Sequence, residues 1–100
     1  MNTKKIYGVK EFREEYGELT FGTALEAHRK CEEMTQKEFA ELIGISAQSL
    51  CDIEKGRSIP SPRRAAKIAN KIGEPEIFWI RLALQDMLRK ESFNYTVSVI

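Results

Sequence analysis

Cysteine and histidine are scarce in this chain, and long apolar runs are missing. The two cysteines, Cys31 and Cys51, are too few for a disulfide framework and suit a reducing compartment. One histidine, His28, with two thiols far apart in sequence, argues against a structural metal site; it reads as an ordinary helix residue. No apolar stretch approaches the roughly 18 residues that would cross a bilayer, so no membrane association is expected. The opening MNTKKIYGVKEFREEYG has no apolar signal core, so no secretion is expected and a cytoplasmic location is. There is no internal repeat or low-complexity tract. No nucleophile–base pair, metal set or phosphate loop stands out, which disfavours an enzyme and gives no reason to expect a cofactor.

One hundred residues suffice for one domain with a modest core. The net charge is only +1, but its distribution is uneven. Residues 55–73 carry Lys55, Arg57, Arg63, Arg64, Lys67 and Lys71 without a single acid. Residues 11–18 carry four glutamates against Arg13. A basic block in a near-neutral chain is either a footprint for a polyanion or a solvated helix face.

The punctuation of the chain predicts five helices. The first opens at Leu19 or Thr20 and runs to about Glu33. Thr35 caps the second, with Glu38 three residues on completing a capping box, and Gly44 ends it, because glycine turns left-handed at no steric cost. Ser46 caps a third helix that stops at Gly56. Ser61 followed by Pro62 starts a fourth, closed by Gly73, and Pro75 opens a fifth that reaches about Glu91. A short helix over 10–16, closed by Gly17, is a weaker candidate. The end of the chain differs: in FNYTVSVI, Phe93, Tyr95, Val97 and Val99 alternate with Asn94, Thr96, Ser98 and Ile100, a strand pattern.

The centre of the sequence, TQKEFAELIGISAQSLCDIEKG, puts two short helices on either side of Gly44. Phe39, Ala40 and Ile43 share one face, and so do Leu50 and Ile53. Those faces can meet only if the helices cross steeply at the glycine, with Ala40 allowing close approach. Glu41, Gln48 and Asp52 are left outside. That layout is a helix-turn-helix, in which one helix steadies the unit and the next offers its outer face to the major groove; an αα-hairpin in an unrelated bundle is the alternative. QKEFAELIGISAQSLCDIEKG resembles the Cro/repressor-type, or Xre, helix-turn-helix family, and the likeness covers about residues 20–72, including the closing Ile-Glu-Lys-Gly and the basic Ser-Pro-Arg-Arg helix.

The resemblance implies an all-α, five-helix repressor-like domain and a set of roles. Gln36, opening the second helix, would bond a DNA phosphate, at a helix start that itself favours anions. Ala47, Gln48, Cys51 and Asp52 would face the bases. Gln48 can pair with adenine N6 and N7, and Ala47 can touch a thymine methyl. Asp52 can accept from cytosine N4 but repels phosphate, so orienting Gln48 or a nearby arginine is its other possible role. Cys51 departs from the more usual polar residue and reads either as a small filler or as a redox switch. Ser49, Lys55, Arg57, Ser58, Arg63 and Arg64 would meet the phosphates, which position the protein without choosing a sequence. Six phosphates neutralised by a dimer predict a log–log salt slope on the order of −5. Arg29 and Glu54 occupy the places of a structural ion pair.

A dimer is expected on two grounds. In the fifth helix Ile77, Ile80, Leu84, Met87 and Leu88 form a stripe expected to face the domain, while Phe78 with Leu82, and Trp79 with Ala83, fall outside it. A helix apolar nearly all round needs burial on more than one side, and a large monomeric core is the alternative. The tail would pair antiparallel with a second copy, so Phe78, Trp79, Leu82, Phe93, Tyr95, Val97 and Val99 are the expected subunit contacts. The domain plan is therefore an arm over 1–18, a DNA-binding unit over 19–73, and a dimerising helix and strand over 74–100. The expected function is a homodimeric repressor reading a palindromic double-stranded operator and regulating its own gene. Small family members with a dimerising strand resemble antitoxins, which adds a toxin protein to the candidate partners, met through the tail and the acidic arm. A phage-type or restriction-system regulator stays open. The competing reading is a protein-interaction module that keeps the fold without specific DNA reading.

Overall fold

The computed structural model describes residues 19–93 and 95–98. Among the described residues five helices follow one another: α1 (Phe21–Cys31), α2 (Gln36–Ile43), α3 (Ala47–Glu54), α4 (Pro62–Lys71) and α5 (Glu76–Lys90). The suggested helix over 10–16 lies outside the described residues.

Local chemistry sets most of the boundaries. Four side chains satisfy backbone N–H groups that a helix start leaves without intrahelical partners. Thr20 Oγ1 accepts from Thr23 N at 3.1 Å and Thr35 Oγ1 from Glu38 N at 3.1 Å. Ser46 Oγ accepts from Ser49 N at 3.0 Å, and Ser61 Oγ from Arg64 N at 3.2 Å. At Thr35 the box is closed, because Glu38 Oε1 accepts from Thr35 N at 2.9 Å. Pro62 sits in the first turn of α4. Gly44 takes φ 78°, the left-handed turn that lets α3 begin at Ala47 so soon after α2 ends at Ile43.

One core joins all five helices. Phe21 and Leu25 of α1, Phe39, Ala40 and Ile43 of α2, and Leu50 and Ile53 of α3 are all buried. Ala65, Ile68 and Ala69 of α4 complete it with Trp79, Leu82 and Ala83 of α5. The small residues Ala65, Ala69 and Ala83 are fully buried where α4 and α5 run together, the most extensive helix pairing in the fold. Phe21 and Trp79 meet edge to face, their ring centroids 5.2 Å apart, which links α1 to α5.

Two expectations are corrected here. The domain-facing stripe of α5 is the other one: Trp79 is 2% exposed and Leu82 7%, whereas Ile77 is 58% exposed. Ile80, Leu84, Met87 and Leu88 are half-buried. The ring of Phe21 and the alanines of α4 select the Trp79–Leu82–Ala83 face, so Trp79 and Leu82 cover no outside partner. Phe78 is half-buried against Trp79, ring to ring at 5.4 Å. Second, no strand forms among the described residues: 95–98 have no regular structure, because a strand needs a backbone ladder and a single chain supplies none. Phe93 and Tyr95 are exposed, Val97 is half-buried, and Val99 lies outside the described residues.

The tail is nevertheless held. Gln85 Nε2 donates to the carbonyl of Tyr95 at 2.7 Å, and Val97 N donates to Gln85 Oε1 at 2.8 Å. One side-chain amide thus serves a C=O and an N–H two residues apart, as the N–H and C=O of a single residue in a neighbouring parallel strand would.

Gly22 marks a close approach of α1 to the end of α3. It is buried in the first turn of α1, and a Cβ there would press on the carbonyl oxygen of Ile53 and lie 3.0 Å from that of Glu54. Gly22→Ala must push α1 away from the end of α3, an overpacking cost of about 1–3 kcal/mol. Urea denaturation should show that loss; an unshifted midpoint would mean that α1 stands further from α3.

Candidate nucleic-acid interface

The outer surface of α3 follows from its amphipathic spacing. Leu50 and Ile53 are buried beneath it, and Ala47 and Gln48 stand exposed at its start. Ser49, Cys51 and Asp52 are half-buried along the helix. The structure therefore brings the four expected base-facing residues, Ala47, Gln48, Cys51 and Asp52, onto one accessible helix.

They are not independent of one another. Asp52 lies one turn beyond Gln48, and its Oδ1 accepts from Gln48 Nε2 at 3.0 Å. The same oxygen accepts from Arg57 Nε at 3.1 Å. This bond, the largest influence on Arg57, raises its pKa further above the usual arginine value. Arg57 Nη2 also reaches Cys51 Sγ at 3.7 Å. The backbone fixes the spacing, since Arg57 N and Ser58 N donate to the carbonyl of Asp52 at 2.8 and 3.2 Å.

Around this face lie the cations. Lys55, Arg57 and Ser58 are exposed on the loop after α3, and Arg63, Arg64 and Lys67 are exposed on α4. The turn between α2 and α3 and the start of α4 enclose a groove of about 370 Å³. Ile43, Ile45 and Ile68 supply apolar lining; Arg63, Arg64 and Lys67 supply positive charge. Lys67 is an addition to the predicted phosphate set, and its place one turn after Arg63 and Arg64 is the sequence signal for it.

Behind α3, Arg29 and Glu54 meet. Arg29 Nε donates to Glu54 Oε2 at 2.8 Å and Nη2 to Oε1 at 3.0 Å, a two-pronged carboxylate contact. Their side chains are 11% and 2% exposed, and the hydrogen bond to Glu54 raises the Arg29 pKa above the usual arginine value. Arg29 Nη1 also donates to the carbonyl of Met34 at 3.0 Å.

Gln36 joins this cluster instead of standing at the surface. Its Nε2 donates to Glu54 Oε1 at 2.9 Å, so the side chain expected to bond a phosphate is turned toward the buried carboxylate. The backbone amides at the start of α2 retain the character of an anion site. No local pattern signals this bond, which spans 18 positions.

Arg29→Ala would strand the Glu54 carboxylate in the core and should cost about 3–5 kcal/mol. Replacing both partners with leucine should recover much of that loss. Thermal and urea unfolding of the single and double variants measure it, and a single variant as stable as the parent would contradict the pairing.

Residues 25–79 match the helix-turn-helix family. Over 55 residues, 55% of this chain and 80% of the other, the sequence is 40% identical to a protein of Methanothermobacter thermautotrophicus (strain Delta H). That relative is described as an uncharacterized HTH-type transcriptional regulator. The match takes in α2 and α3 with the Gly44 elbow between them, and this chain belongs to the Cro/repressor-type (Xre) helix-turn-helix family.

Proposed function

We propose that the protein is a homodimeric, sequence-specific double-stranded DNA-binding repressor that acts on its own gene. The observation that carries this reading is the outward face of α3, with Gln48 exposed at its N-terminal end. The cations of the following loop and of α4 border that face. A major groove admits such a helix, and a glutamine amide matches the acceptor and donor of adenine. Lys55, Arg57, Ser58, Arg63 and Arg64, with the start of α2, would meet the phosphates on either side. The relative's description as a transcriptional regulator agrees with this assignment.

Dimerisation rests on α5 and the tail. Ile77 is exposed, and Ile80, Leu84, Met87 and Leu88 are half-buried along α5 outside its Trp79–Leu82–Ala83 face. Phe93 and Tyr95 extend that apolar surface, their rings 6.2 Å apart. A second copy would cover the stripe, and the two tails, steadied by Gln85, would pair antiparallel. Two reading helices about 34 Å apart then match a palindromic operator. Within this reading the protein is the antitoxin of a toxin–antitoxin pair, and residues 1–18 with the tail are the surfaces offered to the toxin. The competing interaction-module reading draws on Asp52, whose carboxylate sits among the base-facing residues and opposes phosphate.

Selection from random duplexes, followed by footprinting upstream of the gene, separates the two. A palindromic consensus supports the repressor; saturation without any preference supports the module. Gln48→Ala should erase discrimination at one base pair per half-site, a loss of about 1–3 kcal/mol, with the fold intact. Arg63→Ala combined with Arg64→Ala should weaken binding to every duplex and flatten the salt slope by about one for each phosphate no longer neutralised. Removing residues 93–100 should shift sedimentation toward monomer, and an undiminished dimer would take the tail out of the interface.

A further inference from the structure

We infer that Asp52 is a positioning residue that sets the orientation of the Gln48 amide and withholds Arg57 from nonspecific phosphate; this rests on the DNA-binding reading above. The geometry is a three-residue clamp on the surface of α3. A carboxylate only accepts hydrogen bonds, so the amide edge that faces Asp52 Oδ1 at 3.0 Å is the Nε2 donor. This leaves the Gln48 Oε1 acceptor and the second Nε2–H directed elsewhere. An acceptor beside a donor is the pattern that adenine N6–H and N7 require. Without Asp52 the amide would turn freely between this orientation and its reverse.

The same oxygen holds Arg57 Nε at 3.1 Å. Arg57 is bonded directly to the reading surface, and in the free protein its charge is opposed by Asp52. The carboxylate also repels any phosphate that approaches. Both effects lower affinity for every duplex equally, whereas the orienting of Gln48 raises affinity only where adenine stands opposite. Asp52 therefore widens the gap between specific and nonspecific binding through Gln48, while its charge lowers the sequence-independent affinity common to both.

The test uses the full chain and a duplex obtained by selection. The parent, Asp52→Ala, Asp52→Asn and Gln48→Ala are titrated at several salt concentrations against three kinds of duplex: the selected site, its single-base-pair variants and an unrelated sequence. Asp52→Ala should lose discrimination about fivefold, the worth of one hydrogen bond, at the same base pair that Gln48→Ala affects. It should at the same time bind the unrelated duplex more tightly, with a salt slope steeper by about one per subunit as Arg57 is released. Asp52→Asn offers Gln48 either an acceptor or a donor and loses the charge, so it should keep only part of the discrimination and share the steeper slope. Discrimination unchanged in Asp52→Ala overturns the proposal while the repressor reading stands. Affinity falling for all duplexes together also overturns it, because that marks a merely structural role. Failure of the parent to yield any consensus overturns both.

Discussion

The contact between Arg29 and Glu54 decides where α3 sits. Four parts of the chain converge on it: the last turn of α1, the carbonyl of Met34 in the following loop, Gln36 at the start of α2, and the last residue of α3. A buried ion pair adds little net stability, since desolvation offsets most of the attraction. What it supplies is direction. A guanidinium fork accepts a carboxylate in few geometries, so α3 cannot slide or rotate without stranding a charge. Gly22 works on the same joint by steric means, admitting α1 to within touching distance of the Ile53 and Glu54 carbonyls. Fastened from behind in both ways, α3 needs nothing in front, and its outer residues stay available.

How far this can be read in the sequence depends on the range of the interaction concerned. The starts of α1 to α4 and the elbow at Gly44 are local events, governed by a hydroxyl or a glycine within three or four residues, and they stand where Thr20, Thr35, Ser46, Ser61 and Gly44 indicate. The Arg29–Glu54 pair is legible only through the family pattern. Periodicity misassigns the face of α5 because its helical wheel carries two apolar stripes of similar strength. What chooses between them is the ring of Phe21 and the alanines of α4, and periodicity contains neither. The tail shows the same limit: alternation describes what a strand would bury, but a strand also needs a neighbour. Gln36 escapes a local reading for a comparable reason, since the carboxylate that draws it inward lies 18 positions away.

Charge distribution explains why so neutral a chain suits a nucleic-acid role. With a net charge of +1, general attraction to a polyanion is weak, and affinity must come from cations gathered on one side. Lys55 and Arg57 are exposed on the loop after α3, and Arg63, Arg64 and Lys67 are exposed on α4, the last three lining one groove. On the proposed reading such a protein would stay only briefly on arbitrary duplex, because the sequence-independent term scales with the number of phosphates neutralised. Discrimination would then depend on how well the proposed base-facing side chains are held. The clamp of Gln48, Asp52 and Arg57 is suited to that demand, since it fixes side-chain direction and gives up positive charge in doing so.

The element that links this surface to the proposed subunit contact is α1. Phe21 packs on Trp79 of α5, and the adjacent Gly22 abuts the end of α3. Asp86 of α5 returns the connection, its Oδ2 accepting from Phe21 N at 2.9 Å where a carboxylate also complements the positive helix start. Arg89 adds a bond to the carbonyl of Leu19 at 3.2 Å. Two consecutive residues of α1 therefore touch the helix that would meet the second copy and the helix that would meet DNA. In the proposed dimer the separation of the two reading helices is set by a close-packed core rather than by a hinge. Cores resist small displacements, so the spacing accepted between half-sites should be narrow, and in the proposed dimer that rigidity would let two short helices act as one recognition unit.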